Sequence, residues 1–206
     1  MTVTEIPTTA IPARRGTGVT LPDGTTLGVH PLHAASTDLF ARFVESLSPE
    51  ARYRRFFQPV PRPTERFVRP LCDVDQVRHI AWLLLAGDTP VAEVRLVASD
   101  HEPGVAELAV AVDQDWRRRG VARRALSAIG VAGAAGGVHT FTATIQADNR
   151  ASAEMVRSLG LTLRFDDGVL SGRGPVPAWT GTPAEADAIR SLQAAAANRA
   201  NLAEVA

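Results

Sequence analysis

A run of small and positively charged residues follows an apolar segment near the middle of the chain. The apolar segment is Val105–Val112, and the turn after it contains Arg117, Gly120 and Ala122 in the order Arg-x-x-Gly-x-Ala. A helix that begins here would present unpaired backbone N–H groups and the positive end of its dipole, which together favour phosphate. Small residues let a diphosphate approach the backbone, and arginine adds charge-assisted hydrogen bonds. The spacing therefore predicts a phosphate-binding turn and a coenzyme site.

Two better-known phosphate loops do not match this turn. A Walker loop needs a lysine after its last glycine, and all 22 basic residues of this chain are arginine. A dinucleotide fingerprint needs three glycines after the first strand, whereas only Gly120 is present. The coenzyme is therefore bound by a different kind of turn.

A single carboxylate interrupts the apolar strand before the turn. On an extended strand Glu107 shares one face with Ala109 and Ala111, which leaves room for a substrate. A lone carboxylate on the open face of a strand can act as a general base, and Glu107 is the best candidate in this segment. The alternative is a solvated glutamate at the end of a strand.

The turn resembles the (Gln/Arg)-x-x-Gly-x-(Gly/Ala) signature of the GNAT acyltransferase superfamily, whose members bind the pyrophosphate of acetyl-CoA. The next element of the family is a helix that begins at an asparagine and ends at a glycine. Here Asn149 is a good N-cap at the corresponding place, and Gly160 ends the helix that follows. The resemblance implies that acetyl-CoA is the cosubstrate.

A closer resemblance, over roughly residues 25–173, is to the Pat-type protein lysine acetyltransferases of bacteria. It rests on residues 47–57, the Asp-Val-Asp sequence at 73–75, and the Ala-Glu-Leu-Ala-Val sequence at 106–110. In that subgroup the glutamate of this strand is the general base, which carries over to Glu107 alone. Backbone groups of the same strand are implied to hold the pantetheine arm. The implied coenzyme-binding residues are Leu108, Val110, Val112, Arg117, Arg118, Arg119, Gly120, Val121, Ala122, Arg123 and Asn149.

One feature of many GNAT enzymes is missing. They place a tyrosine seven residues after the asparagine, as the acid for the departing thiolate, and here Val156 holds that position. Tyr53 is the one tyrosine of the chain, so we assign no general acid. A thiol of pKa about 8.5 leaves tolerably well as the thiolate.

Other charged residues have weaker interpretations. Arg52, Arg54 and Arg55 form either a solvated helical face or a contact for acidic surfaces around a target lysine. Trp116 is expected to pack rather than to stack on a ligand. Candidate carboxylates on the substrate side are Asp73, Asp75 and Glu93.

Composition excludes several classes of protein. With 22 basic and 22 acidic residues the formal net charge is zero, which argues against a nucleic-acid or membrane surface. Cys72 is the one cysteine, so neither an internal disulfide nor a thiolate metal cage is expected, and the scattered histidines do not predict a metal site. No signal peptide or membrane span is apparent. We therefore expect a cytoplasmic protein without nucleic-acid or membrane partners.

The order of the predicted elements indicates a mixed α/β fold with a largely antiparallel sheet. We expect a flexible tail over residues 1–20, a GNAT domain over 21–174, and a linker with an alanine-rich helix over 175–206. Strands are predicted at 25–31, 79–86, 90–97, 105–112, 138–145, 161–165 and 168–170. Helices are predicted at 36–47, from Pro49, at 64–71, after the turn, from Asn149, and from Thr182 to about Asn198.

These features together predict an N-acetyltransferase that moves an acetyl group directly from acetyl-CoA to an amine. The favoured acceptor is a protein lysine. One alternative keeps the chemistry but uses a small amine or an amino acid, and another is a non-catalytic GNAT module that senses acyl-CoA. A monomer or a homodimer is expected.

Overall fold

The structure, a computed structural model, describes residues 17–204. Its eight strands are β1 (Gly18–Thr20), β2 (Thr26–Pro31), β3 (His79–Ala86), β4 (Thr89–Ala98), β5 (Val105–Val112), β6 (Thr140–Gln146), β7 (Thr162–Asp166) and β8 (Val169–Pro175). Its six α-helices are α1 (Thr37–Ser46), α2 (Pro49–Phe56), α3 (Glu65–Cys72), α4 (Val121–Ala135), α5 (Arg150–Ser158) and α6 (Pro183–Glu204). The strands form one sheet in the order β1-β2-β3-β4-β5-β6-β8-β7.

The sheet has a hydrophobic core on each face. Strand β3 illustrates the cause, because its side chains alternate between the faces and nearly all are apolar. Trp82 and its even-numbered neighbours pack with α4, whereas Leu83 and its odd-numbered neighbours pack with α1 and α3. The two-sided burial explains why this segment is a continuous apolar run rather than an alternating one.

The sheet opens between β5 and β6, its one parallel pair. The two strands pair only from Val105 to Glu107, opposite Thr140 to Thr142. Strand β5 stays paired with β4 as far as Val112, and β6 stays paired with β8 as far as Gln146. A gap therefore forms in the middle of the sheet beyond Glu107.

Both ends of the described chain are part of the fold. Residues 18–20, which the sequence analysis assigned to a flexible tail, form β1 against β2, and this part of the expectation is wrong. Residues 1–16 lie outside the described residues. Helix α6 packs on α4, where Ile189 is fully buried and Gln193 accepts a hydrogen bond from Trp82 Nε1 at 3.1 Å. The predicted capping box is present, since Thr182 and Glu185 exchange hydrogen bonds.

The mixed α/β, largely antiparallel architecture is confirmed, and the predicted elements match to within a few residues at most ends. The main differences are β8, which continues to Pro175, and α6, which continues to Glu204. Cys72 is buried, and burial raises the pKa of its thiol to about 12, which suits a packing role. Among residues 17–204, none of the helices has the length and apolar character needed to cross a bilayer.

Candidate active site

Glu107 is exposed at the point where β5 and β6 separate. As expected from strand alternation, its side chain lies on the face of α1 and α2, because Leu108 on the other parity belongs to the core beneath α4. Thr144 on β6 donates a hydrogen bond to Glu107 Oε1 at 3.0 Å. The carboxylate is therefore oriented across the gap and keeps its second oxygen free for another donor.

The backbone of β5 directs unpaired groups into the same gap. Asp113 N donates to Val91 O, and Val105 O accepts from Ser99 N, so the odd-numbered residues of β5 bond to β4. The intervening residues, Leu108, Val110 and Val112, therefore direct their N–H and C=O groups toward β6, where pairing has ended. This is the geometry that a pantetheine arm needs, since it can pair with the strand as a further strand would.

The predicted phosphate turn has the expected backbone form. Gly120 is in the left-handed region at φ +82° and precedes the first residue of α4, and Arg118 is also left-handed at φ +60°. Within the described part of the chain, the six successive N–H groups of residues 118–123 make no hydrogen bond. Together with the positive end of α4, they form a ready site for phosphate oxygens.

The arginines of the turn divide into two groups. Arg119 donates from Nε and NH2 to Asp23 Oδ2 at 3.1 and 2.8 Å, and its guanidinium lies 4.2 Å from the ring centroid of Trp116. Arg123 donates to the hydroxyl of Ser158 at 2.7 Å. Arg117 contacts only the carbonyl of Val112, and Arg118 has no hydrogen-bond partner among residues 17–204. The second pair is thus free to bind phosphate.

Helix α2 contacts the turn between β6 and α5, on the β6 side of the gap. Arg54 lies 3.6 Å from Asp148 Oδ2 and donates to Asn149 Oδ1 at 3.5 Å. Asn149 is also the N-cap of α5, as predicted, because it accepts from Ser152 N at 3.2 Å. The contact holds α2 over the ends of β6 and β8.

A cleft of about 480 Å³ lies beneath α2 and opens to solvent. Two of its aromatic side chains, Tyr53 and Phe57, are 48% and 44% exposed, which is unusual for residues of this size. The residues that line it are Glu50, Tyr53, Arg54, Phe57, Gln146, Ala147, Asp148, Asp167, Gly168 and Val169. Gln146 lies two residues, or about 7 Å, beyond Thr144 on the same face of β6, so the cleft opens on the face of the sheet that carries Glu107.

Two expectations for charged residues are wrong. Arg55 is not on a solvated face, because it forms a bidentate pair with Glu93 at 2.7 and 2.9 Å. Glu93 is fully buried and cannot face a substrate, and it also accepts from Arg95 Nε at 2.9 Å. Burial alone would raise the pKa of the Glu93 carboxyl, but Arg55 and Arg95 hold it at about 2.

Three other candidate residues have structural contacts. Asp75 accepts three backbone N–H groups in the turn before β3 and so shapes that turn. Arg52 donates to the carbonyls of Val60 and Pro61 and ties α2 to the loop that follows it. Trp116 packs against the core, as expected. The described residues contain no cluster of side chains with the composition of a metal site.

Several site residues were not identified from the sequence. Thr144 could have been found by strand alternation, because it lies on the same face of β6 as the residue opposite Glu107. Asp148 and Asp167, at the rim of the cleft, sit in turns whose positions depend on the sheet order. Asp23 gave no signal beyond that of a turn residue.

Known proteins share this fold and this arrangement of elements. A family model described as the acetyltransferase (GNAT) domain matches residues 27–162. This span is more than half of the chain, so the chain belongs to the GNAT acetyltransferase family. The enzymes of this family are acetyltransferases that use acetyl-CoA as the cosubstrate.

The relatives include proteins of the Pat type, as the sequence indicated. Acetyltransferase Pat of Mycolicibacterium smegmatis is 32% identical over 149 residues, which are 71% of this chain and 44% of that protein. The GNAT domain of S. lividans PAT superposes with a TM-score of 0.72 and 27% identity, over 81% of this chain and 99% of that one. A cAMP-binding acyltransferase from Mycobacterium smegmatis gives a TM-score of 0.66 and 25% identity, over 90% and 56%. The chain thus spans less than half the length of the curated relative.

Proposed function

We propose that the enzyme transfers the acetyl group directly to the side-chain amine of a protein lysine, with Glu107 as the general base. The observation that carries this proposal is the position of Glu107. It is an exposed carboxylate, oriented by Thr144, at the point where β5 and β6 separate and on the face of the sheet where the cleft beneath α2 opens. The gap suits the thioester and the cleft suits an acceptor, so a base at this position serves a transfer from one to the other.

The proposed reaction needs one base and one set of backbone donors. Glu107 takes a proton from the lysine ammonium, and the neutral amine attacks the thioester carbonyl carbon. The N–H groups that β5 directs into the gap donate to the carbonyl oxygen as negative charge develops there. The C–N bond forms, the C–S bond breaks, and the CoA sulfur leaves as a thiolate, while the added nitrogen gives up its second proton to solvent.

The proposed coenzyme site combines the two backbone features. The pantetheine arm pairs with Leu108, Val110 and Val112, beside Asn149. The pyrophosphate binds the N–H groups of residues 118–123, which include Gly120, Val121 and Ala122, with Arg117 and Arg118 as the free cations. Arg119 and Arg123 then act by holding the turn and α4 in place rather than by direct contact.

The charge of the cleft supports a cationic acceptor. Its rim carries the carboxylates of Glu50, Asp148 and Asp167 against the single cation Arg54. A lysine would enter as the ammonium form, which these carboxylates attract, and its aliphatic stem would pack on Tyr53 and Phe57. The relation to Pat-type proteins agrees with a lysine acceptor.

The acceptor can be identified with the wild-type protein. CoA-thiol release is followed with lysine-containing proteins, the same proteins with chemically acetylated lysines, and a panel of small amines and amino acids. Because the chain contains no lysine, any acetyl-lysine found by mass spectrometry belongs to the acceptor. We expect turnover with the unmodified proteins alone.

The other outcomes of this assay distinguish the alternatives. Faster turnover with a small amine would replace the protein acceptor by a small molecule. Tight acetyl-CoA binding without turnover on any acceptor would favour the acyl-CoA sensor.

We also infer that the enzyme acts in the cytoplasm, where acetyl-CoA is available, and without a nucleic-acid or membrane partner. The balanced formal charge supports the second point. A monomer or homodimer remains the expectation for its assembly.

A further inference from the structure

We propose that Asp23, on the β1–β2 turn, is a positioning residue for the coenzyme's diphosphate. It acts through Arg119 and holds the phosphate-binding turn in the conformation that presents its N–H groups. This inference rests on the proposed coenzyme site. Asp23 lies before residue 27, where the match to the family model begins.

The backbone of the phosphate-binding turn requires outside support. Arg118 and Gly120 are both left-handed, and a side chain such as that of Arg118 rarely adopts this conformation unless its surroundings impose it. The N–H groups of residues 118–123 have no partner within residues 17–204, so no internal hydrogen bond holds them in place. Backbone hydrogen bonds hold the two ends of the turn, from Arg117 N to Gln114 O and from Arg124 N to Gly120 O, so the contacts that fix the residues between them come from side chains.

The β1–β2 turn supplies such a contact through two oxygen atoms. Arg119 donates twice to Asp23 Oδ2 and once to Thr25 Oγ1, the latter at 3.0 Å. Asp23 Oδ1 in turn accepts from Thr25 N at 2.9 Å, which fixes the carboxylate. That backbone hydrogen bond and Arg119 hold the pKa of Asp23 at about 2, so the carboxylate is charged throughout any assay range.

Arg119 and the neighbouring Gly120 each make a further contact. The guanidinium lies over Trp116, which packs against the core, so Arg119 is held between a rigid ring and the carboxylate. Pro22 lies so close to Gly120 that an added Cβ would be 3.2 Å from Pro22 Cδ. The β1–β2 turn thus contacts the phosphate-binding turn at two successive residues.

A second set of contacts connects the same region to the first turn of α4. Arg124 Nε donates to Thr20 O at 2.6 Å, and the N–H of Thr20 donates to Glu185 of α6. The β1–β2 hairpin is therefore attached on both sides of the proposed diphosphate site. Removing the Asp23 charge should loosen the turn without unfolding the hairpin.

Asp23→Asn provides the test, with two thioesters as substrates. Acetyl-CoA carries the diphosphate, whereas S-acetyl-pantetheine lacks it and can sense only the gap between β5 and β6. We expect the KM for acetyl-CoA to rise about five- to tenfold, the change typical of one lost hydrogen-bonded contact. The kcat, the KM for the acceptor, and the rate with S-acetyl-pantetheine should stay unchanged. Thr25→Val should act in the same direction and more weakly.

Glu102→Gln is the matched control, because it removes an exposed carboxylate that pairs with Arg173 at 2.7 Å, at the other end of β5. It should leave every constant unchanged. An unchanged or lower KM for acetyl-CoA in Asp23→Asn would overturn the inference, since the carboxylate would then only repel the phosphates. Equal losses with both thioesters would overturn it too, as a general structural effect. If the wild type failed to distinguish the two thioesters, the proposed coenzyme site itself would be rejected.

Discussion

Gly120 is the residue at which the extended turn becomes helix α4. Its φ of +82° favours glycine, and an added Cβ would lie 3.2 Å from Pro22 Cδ, a tight contact that requires a shift of a few tenths of an ångström. Gly120→Ala should lower the free energy of unfolding by about 1–2 kcal/mol, the cost of a left-handed alanine. It should also weaken acetyl-CoA binding by tenfold or more, because relief of the clash moves the N–H groups of the turn.

Gly137 provides the control for strain alone. It has nearly the same φ, +85°, after the end of α4, and an added Cβ there meets no atom within 4 Å. Gly137→Ala should lose a similar stability in urea unfolding and keep its acetyl-CoA affinity in calorimetry. If both variants bound acetyl-CoA like the wild type, the turn would not be the diphosphate site.

For single residues, the sequence predicted the face on which a side chain lies better than it predicted the residue that the side chain contacts. The parity of a strand is enough to place Glu107 and Leu108 on opposite faces, and the arrangement of the structure agrees. Spacing says nothing about which arginine has a partner elsewhere in the chain. Arg119 is paired with Asp23, 96 residues away, and only the sheet order brings them together.

The elements around the cleft are joined by a buried ionic network. Arg55 of α2 and Arg95 of β4 both bond to Glu93, and Arg95 also contacts His79 on β3 and the carbonyl of Leu71 on α3. The network fixes α2, and with it Tyr53 and Arg54, against the sheet. Burial, followed by the charge of Arg95, lowers the pKa of His79 to about 4, so this imidazole stays neutral near pH 7.

Loss of the central carboxylate should be costly. Glu93→Gln leaves two arginines without their counter-charge in a buried environment, and we expect a loss of about 3–5 kcal/mol in the free energy of unfolding. Denaturant unfolding followed by circular dichroism measures it.

Glu102→Gln at the exposed pair with Arg173 should change stability by no more than about 1 kcal/mol. Equal losses in Glu93→Gln and Glu102→Gln would show that the buried network does not hold α2 in place.

Most elements could be predicted because their signals are local. Pro49 in the first turn of α2, the Asn149 cap and the Thr182 capping box all act within four residues. Arg55 was misassigned because three of the eight residues of α2 are arginines, which is the pattern of a solvated helix. Its partner lies on β4, and helical periodicity contains no information about that contact.

Residues 17–204 form one sheet with helices on both faces, and the first strand of this range contacts its last helix. Strand β1 and helix α6 meet where the N–H of Thr20 bonds to Glu185, and α6 buries Ile189 and Gln193 on the α4 side. The helix could be predicted from its capping box, but its docking could not, because its alanines mark no single apolar face. The same limit applies to β1, whose three residues are too few for a periodic signal.

We propose that Glu107 removes the acceptor's proton, and the variant Glu107→Gln tests this role most directly. The substitution keeps the shape and the acceptor oxygen for Thr144 but removes the base. We expect kcat to fall about 10²- to 10⁴-fold, while acetyl-CoA affinity, measured by calorimetry, and the thermal midpoint stay at the wild-type values. A kcat within twofold of the wild type, with the same acceptor and pH, would contradict this role.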